Sequence, residues 1–279
     1  MDIGPEPAPG FAFYSLETGE ALSEEDATCS DAIFGEWHGH LFESEQSVAF
    51  VRVSGQKYGV DILCGEGAAA DSTGAFCERF GAQAGINGSY FNMRSLTHNT
   101  FVKDAGYVVS TTTQAEVFRT NGVVFCSPDT VAIDFYGGLI PVGSETTTGG
   151  IEAADEALAA GPILIDDGTT ITYEEGIPGW NEFYARRHPR SMIGTDAAGN
   201  IWLVVVDGRV RDRAAGMTVA ELTALAQKIG LTDALNLDGG GSSTLWTLPA
   251  GAINYPTDNR RYDHYGQRRI PSAIGLKKK

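Results

Sequence analysis

The feature that most constrains the fold is a strand, a helix and a second strand that follow one another between residues 201 and 237. The apolar run 201–206 is typical of a buried central strand. Thr218 and Glu221 have the spacing of a capping box, and Gly230 is placed to end the helix that they begin. Residues 233–237 predict another short strand. Such a unit is a crossover and, if its two strands are parallel, the loops after them lie at one sheet edge.

Further strands are predicted at several apolar or alternating runs, namely 46–53, 59–63, 107–110, 122–125 and 131–136. The Asp167-Gly168 pair predicts a tight hairpin turn, and residues 191–206 predict a second hairpin. We therefore expect an α/β (mixed α+β) fold, a single domain over residues 11–276 with a central mixed β-sheet flanked by helices. Residues 1–10, rich in Pro and Gly, are interpreted as a linker arm, and residues 277–279 as a frayed tail.

Charge limits the classes of partner. The chain has 36 acidic and 20 basic residues, a net charge of −16, which disfavours nucleic acid as a general partner. Its apolar runs are too short to predict a membrane span. The basic residues are concentrated late, with eleven of them between residues 186 and 276. The sequence does not indicate an oligomeric state.

Both strands of the crossover unit end in an aspartate followed by glycine. Asp207-Gly208 by itself is most simply a turn. The block Asn236 to Ser243 contains three consecutive glycines after Asp238, and such glycines permit positive φ or a close approach of backbone N–H groups to a ligand. No lysine follows them and they lack the Gly-x-Gly-x-x-Gly spacing, so nucleotide binding is disfavoured. Because ligands of open α/β sheets bind at strand carboxyl ends, these loops predict the site.

Two other clusters combine polar, charged and aromatic side chains. Residues 87–92, with an Asn-Gly pair, would by themselves indicate a turn at a strand end. Residues 186–191 contain Arg186, Arg187 and Arg190. In so acidic a protein, this run just before a predicted hairpin favours an anion site.

Six motifs, taken in order along the chain, carry a resemblance to a known family: Asn87-Gly88-Ser89-Tyr90-Phe91, Gly161-Pro162-Ile163-Leu164, Arg190-Ser191-Met192-Ile193-Gly194, Asp207-Gly208-Arg209, Gly216-Met217-Thr218 and Asn236-Leu237-Asp238-Gly239-Gly240-Gly241-Ser242. Over about residues 80 to 276 the chain resembles the phosphodiester glycosidase family. The resemblance implies a hydrolase that cleaves a sugar from a sugar-1-phosphodiester and releases a phosphomonoester. No cofactor is expected. It gives functional weight to Asn87, Arg190, Asp207, Asn236, Asp238 and the Gly239–Ser242 loop.

The chemistry suggests roles for these residues. Glycoside cleavage passes through an oxocarbenium-like state that two carboxylates can serve, so we expect Asp238 to act at the anomeric carbon with Asp207 as its partner. A phosphate leaving group needs anion stabilisation, for which Arg190 and the N–H groups of Gly239 to Gly241 are suited. Asn87 completes the predicted catalytic set. The predicted substrate-binding set is Asn236, Gly239, Gly240, Gly241, Ser242, Ser191, Arg209 and Tyr90.

Two other functions stay open. A non-catalytic glycan-binding protein of a surface polysaccharide system would use the aromatic residues Tyr90, Phe91, Trp180 and Trp246. A phosphodiesterase that breaks the P–O bond would usually recruit two metal ions, and the motif loops contain little His. No metal site is predicted, although Asp-rich loops leave calcium open.

Four cysteines, Cys29, Cys64, Cys77 and Cys126, contain no CxxC pair, so zero, one or two disulfides remain open. The N-terminal residues lack the apolar stretch of a signal peptide. That fits a cytosolic protein and equally a mature exported one. Bacterial members of the family are often exported, so the resemblance implies a secreted, periplasmic or cell-surface protein.

Overall fold

The computed structural model describes residues 10–64, 69–128, 130–137 and 149–279. The strands over these ranges are β1 Gly10–Ser15, β2 Ala21–Leu22, β3 Ala32–Leu41, β4 Ser44–Ser54, β5 Tyr58–Cys64, β6 Ala84–Asn87, β7 Val102–Asp104, β8 Tyr107–Ser110, β9 Gly122–Ser127, β10 Thr130–Phe135, β11 Glu156–Ala160, β12 Ile163–Asp166, β13 Thr169–Thr170, β14 Arg190–Asp196, β15 Asn200–Val206, β16 Leu231–Asn236, β17 Leu245–Thr247, β18 Gly251–Ala252 and β19 Ser272–Lys278. The α-helices are α1 Glu24–Cys29, α2 Thr73–Phe80, α3 Gly149–Ala153 and α4 Val219–Lys228.

The strands form three sheets rather than the one central sheet expected. The largest has nine strands in the order β13-β12-β16-β14-β15-β4-β3-β1-β2, and two five-stranded sheets have the orders β10-β9-β11-β7-β8 and β18-β17-β6-β19-β5. Strands and helices do combine, as predicted. The prediction of a mixed sheet is wrong, however, because every pair of neighbouring strands over the described ranges is antiparallel. The crossover strands are not direct neighbours, so their parallel direction produces no parallel ladder.

The predicted crossover unit consists of β15, α4 and β16. Strand β14 lies between β15 and β16 and pairs antiparallel with both, so those two strands run in the same direction. Arg190 at the start of β14 pairs with Val206, and Met192 pairs with Asn236. The loops after β15 and β16 therefore leave the sheet at one edge, about 10 Å apart at a strand spacing of about 4.8 Å.

Both faces of the large sheet are covered, which explains the unbroken apolar run of β15. Leu203 and Val205 pack in the core between the sheets, whereas Val204 and Val206 pack on the face that α4 covers. Helix α4 begins after Thr218, whose hydroxyl accepts a hydrogen bond from the backbone N–H of Glu221 in the predicted capping box.

The N-terminal segment, which carries no family motif, completes the large sheet. Strand β4 pairs with the whole length of β15, and β3 and β1 extend the sheet beyond β4. Residues 1–9 of the predicted arm lie outside the described residues, and Gly10 begins β1. The prediction of a frayed C-terminal tail is wrong: Lys277 and Lys278 belong to β19 and pair with β5. Lys278 also forms an ion pair of 2.7 Å with Glu17.

All four cysteines are free. Cys29 is exposed, while Cys64, Cys77 and Cys126 are buried. Within the described ranges, the chain contains no helix that combines the length and apolar character of a bilayer span.

Candidate active site

Asp238 lies in the second position after β16, at the edge where the crossover loops leave the sheet. Its side chain is half-buried, and its Oδ1 accepts a hydrogen bond of 2.9 Å from the N–H of Gly239. Burial raises the pKa of this carboxyl, although a hydrogen bond from Ser242 and the positive charges of Arg119 and Arg268 act against the rise. The result is an oriented, partly accessible carboxyl group close to positive charge.

Two of the three glycines after Asp238 make room for arginine side chains. Gly240 has a φ of +65°, and a Cβ there would lie 2.7 Å from Nη2 of Arg209. A Cβ on Gly241 would collide with the guanidinium of Arg268. Larger residues would therefore displace both guanidinium groups from the loop that carries Asp238.

The backbone N–H groups of this loop were predicted to bind phosphate, but two of them donate hydrogen bonds within the protein. The N–H of Gly239 donates to the side chain of Asp238, and the N–H of Gly240 donates to the carbonyl of Pro189 at 2.9 Å. Both groups hold the loop in place. Phosphate recognition by these two N–H groups is thus not supported, and nearby guanidinium groups are better placed for it.

Asn87 and Ser191 fix the loop from the other side. Nδ2 of Asn87 donates to the carbonyl of Asp238 at 2.7 Å, and its Oδ1 accepts from Oγ of Ser191 at 2.7 Å. The same Oδ1 accepts from the N–H of Thr244 at 3.1 Å. In return, the N–H of Asp238 donates to the carbonyl of Gly88 at 3.1 Å. Buried Asn87 therefore joins two sheets at the position of the candidate carboxylate.

Asn236 and Tyr90 form a buried support next to this network. Nδ2 of Asn236 donates to the carbonyl of Gly161 at 2.6 Å and to the hydroxyl of Tyr90 at 3.1 Å, and that hydroxyl donates to the same carbonyl. Cζ of Arg119 lies 3.8 Å from the centre of the Tyr90 ring. Tyr90 is 1% exposed, so it positions Arg119 rather than offering a free face for a sugar.

Asp207 is buried, and its carboxylate accepts three hydrogen bonds. Its Oδ2 accepts from Oγ of Ser47 at 2.7 Å, and its Oδ1 accepts from Nδ2 of Asn254 and from the N–H of Tyr255, both at 2.9 Å. Asn254 also donates to the carbonyl of Ser243, at the end of the glycine loop. Burial raises the pKa of Asp207 against these three hydrogen bonds. This arrangement is that of a residue that positions the loop.

Arg190 is also buried, with 2% of its surface exposed. Its Nε donates to the carbonyl of Met217 at 2.8 Å, and its Nη2 donates to the carbonyls of Phe183 and Arg186 at 2.6 and 3.0 Å. Burial lowers the pKa of this guanidinium to about 10. A main role as the phosphate contact is not supported by these bonds, because they direct the guanidinium to the main chain.

The predicted residues thus form a carboxylate, Asp238, and a shell that orients it. Arg209 lies directly against the glycine loop, and Ser242 is the last residue of that loop. Sequence reasoning missed Arg119 and Arg268, which act electrostatically on Asp238. The late concentration of arginines was a signal for Arg268, whereas Arg119 lies outside every motif.

Two features of the described residues bear on the alternative functions, a glycan-binding protein and a phosphodiesterase that uses metal ions. Tyr90, Phe91 and Trp246 are buried, so these three present no aromatic platform to a glycan, whereas Trp180 is half-buried. Across the described ranges, no three side chains of His, Cys, Asp or Glu come together in a way that would hold a metal ion.

Known proteins are similar to this chain in sequence and in fold. N-acetylglucosamine-1-phosphodiester alpha-N-acetylglucosaminidase of Bos taurus is 32% identical over 101 residues, which are 36% of this chain and 19% of that enzyme. The chain thus matches about a fifth of the length of this curated relative.

Solved structures share the fold. The zebrafish catalytic domain of that enzyme, auto-inhibited by its pro-peptide, superposes with a TM-score of 0.68 at 15% identity, covering 97% of this chain and 89% of the domain. A Burkholderia pseudomallei protein described as exported gives a TM-score of 0.59 at 15% identity, covering 84% of this chain and 74% of that one.

The phosphodiester glycosidase family matches residues 80–277, which include Asn87, Asp238 and the loops that hold them. By this match over most of its length, the chain belongs to the phosphodiester glycosidase family.

Proposed function

We propose that this protein hydrolyses a sugar-1-phosphodiester at the bond between the anomeric carbon and the phosphate oxygen. The observation that carries the proposal is the oriented carboxyl group of Asp238, held by Gly239 and Ser242 within the electrostatic influence of Arg119 and Arg268. The products would be a free sugar and a phosphomonoester. Family membership and the fold of the zebrafish domain support this reaction class.

In this reaction, Asp238 acts at the anomeric carbon, either by taking a proton from the attacking water or by direct attack. After direct attack, water hydrolyses the glycosyl ester on Asp238, which releases the sugar and restores the carboxylate. The bond from that carbon to the bridging oxygen breaks, and the electron pair leaves with the phosphate. Because a phosphomonoester is a weak base, its departure requires charge stabilisation more than protonation. Arg119, Arg209 and Arg268 are the groups that we assign to this stabilisation.

Asp207 and Arg190 hold the loops around Asp238. The carboxylate of Asp207 fixes Asn254, which in turn bonds to Ser243 at the end of the glycine loop. The guanidinium of Arg190 joins the carbonyls of Phe183, Arg186 and Met217. Both are positioning residues in this proposal.

Hydrolysis in heavy-oxygen water tests the bond that breaks. We expect the label on the anomeric carbon of the sugar and none in the phosphomonoester. Asp238→Asn should lower kcat by about 10²–10⁴ while the protein stays folded, and Asp167→Asn, in the exposed hairpin turn after β12, serves as the matched control. Label in the phosphate would instead assign a P–O-cleaving phosphodiesterase. Saturable glycan binding without turnover would assign a binding protein.

The cellular location is a further part of this proposal. We place the protein outside the cytoplasm, as a secreted, periplasmic or surface protein that acts on carbohydrate phosphodiesters. The structural likeness to a protein described as exported supports this location. Fractionation of cells that express the natural gene would test it.

A further inference from the structure

A groove lined by six arginines opens beside the glycine loop. Its volume is about 660 Å³, within the range of ligand pockets. The arginines that line it are Arg209, Arg211, Arg213, Arg260, Arg261 and Arg268. They come from two short segments, 209–213 and 257–268, which carry only three aspartates between them in a chain of net charge −16. The groove is therefore a local exception to the acidic character of the protein.

The groove is continuous with the candidate site through two residues. Arg209 and Arg268 line the groove and also lie against Gly240 and Gly241 of the loop that carries Asp238. A substrate whose phosphate is held by these two side chains would extend its leaving group along the other four arginines.

Ion pairs within the described residues account for part of this charge, and Cζ of Arg213 lies 5.5 Å from the centre of the Tyr262 ring. Arg268 pairs with Asp258, its Nε lying 2.8 Å from Oδ1, and Arg211 lies 3.8 Å from the carboxylate of Asp212. Over the described ranges, Arg209, Arg260 and Arg261 form no ion pair with a carboxylate. Arg209, Arg211, Arg260 and Arg261 are exposed, and like charges gathered in this way favour the binding of an anion between them.

Backbone strain marks the same two segments. Arg209, Asp212 and Arg260 have φ values of +65°, +64° and +60°, in the left-handed region that residues with a Cβ rarely occupy. Strain of this kind concentrates where a ligand site demands a fixed side-chain direction. Charge and strain thus point to the same groove.

We infer that the groove binds an oligoanionic leaving group, a chain that carries phosphate or carboxylate groups beyond the scissile phosphodiester. This inference rests on the proposed function for the reaction that it serves. Binding of an anion in the groove does not depend on turnover of a substrate. Planar guanidinium groups bind both kinds of anion through paired hydrogen bonds.

Calorimetric titration tests the binding separately from catalysis. The probes are tripolyphosphate, an oligogalacturonate and a neutral dextran oligomer. We expect the two anions to bind, with an affinity that falls as salt rises, and the dextran not to bind. Stronger binding of tripolyphosphate or of oligogalacturonate would identify phosphate or carboxylate as the anion in the leaving group.

The variant Arg260→Gln/Arg261→Gln removes two groove charges away from the assigned catalytic groups. It should weaken anion binding at least tenfold. Its matched control is Lys57→Gln/Lys228→Gln, which removes two charges outside the groove, in the turn after β4 and in the last turn of α4, and should change binding less than twofold. Unchanged affinity in the groove variant, or an equal loss in the control, would overturn the inference.

Steady-state kinetics with two different leaving groups test whether the groove contributes to substrate specificity. With a neutral leaving group, the groove variant should keep the parent kcat/KM, whereas with a leaving group that carries two further phosphates kcat/KM should fall at least tenfold. Absence of turnover with both substrates, while the anions still bind, would reject the proposed function and leave the groove supported. Equal losses on the two substrates would reject the groove as a specificity element.

Discussion

Nδ2 of Asn87 donates a hydrogen bond of 2.7 Å to the carbonyl oxygen of Asp238, a residue 151 positions later in the chain. Asn87 ends β6 in one five-stranded sheet, and Asp238 follows β16 in the nine-stranded sheet. The position of the candidate carboxylate therefore depends on the docking of two sheets.

This bond predicts a joint loss of stability and activity in Asn87→Ala. The substitution leaves the carbonyl of Asp238, the hydroxyl of Ser191 and the N–H of Thr244 without their partner. Each buried polar group left unsatisfied costs about 1–3 kcal/mol. Urea unfolding should show a loss of at least about 2 kcal/mol, and Ser191→Ala, which removes one donor only, should lose less. An Asn87→Ala protein of parent stability would contradict the network.

Asp207→Asn should keep most of the activity if Asp207 is a positioning residue. An asparagine oxygen can accept from Asn254 and Tyr255, and its amide can donate to the Ser47 hydroxyl. Asp207→Ala, in contrast, should lose both stability and activity because these donors lose their acceptor. Steady-state kinetics and thermal unfolding of the two variants check the role. A 10²-fold drop in kcat for a stable Asp207→Asn protein would restore Asp207 as a catalytic carboxylate.

Gly240→Ala should reduce activity beyond its effect on stability. The new methyl group would displace the guanidinium of Arg209, and the positive φ adds strain of about 1–2 kcal/mol. Gly251→Ala is the matched control, since Gly251 has a φ of +74° and a Cβ there would have no heavy atom of a non-adjacent residue within 4 Å. Both variants should lose similar stability in thermal unfolding, and only Gly240→Ala should lose kcat/KM. Equal activity in the two variants would argue against a role for Arg209.

Glu156 predicts a pH dependence of stability. Burial, together with the charges of Asp61 and Asp104, raises the pKa of this carboxyl from 4.5 to about 7. Because the folded state binds the proton more tightly, the stabilisation is complete below the unfolded pKa and is lost as pH rises through about 7. Urea midpoints between pH 4.5 and pH 8 should therefore fall less in Glu156→Gln than in the parent. Parallel curves for the two proteins would contradict the shift.

Local sequence signals determined several elements of the large sheet and of the helix that covers it. The apolar run of β15, the capping box of Thr218 and Glu221, and the Asp167-Gly168 turn each depend on residues within a few positions of one another. The shared edge for the loops after β15 and β16 also followed from the strand, helix, strand order. Asp238 and its glycines could be selected because three consecutive glycines are costly without a structural reason.

Only the tertiary structure decided how these loops are held and which charges surround them. The roles of Asp207 and Arg190 depend on hydrogen-bond partners such as Ser47, which lies 160 positions before Asp207, and no local pattern encodes such a pairing. Arg119 reaches the site by stacking on Tyr90, and the arginine groove unites two segments distant in sequence. Sequence thus selects which groups are available for chemistry. Sheet docking and burial determine which of them face a ligand, because hydrogen bonding and desolvation act between atoms that only the folded chain brings together.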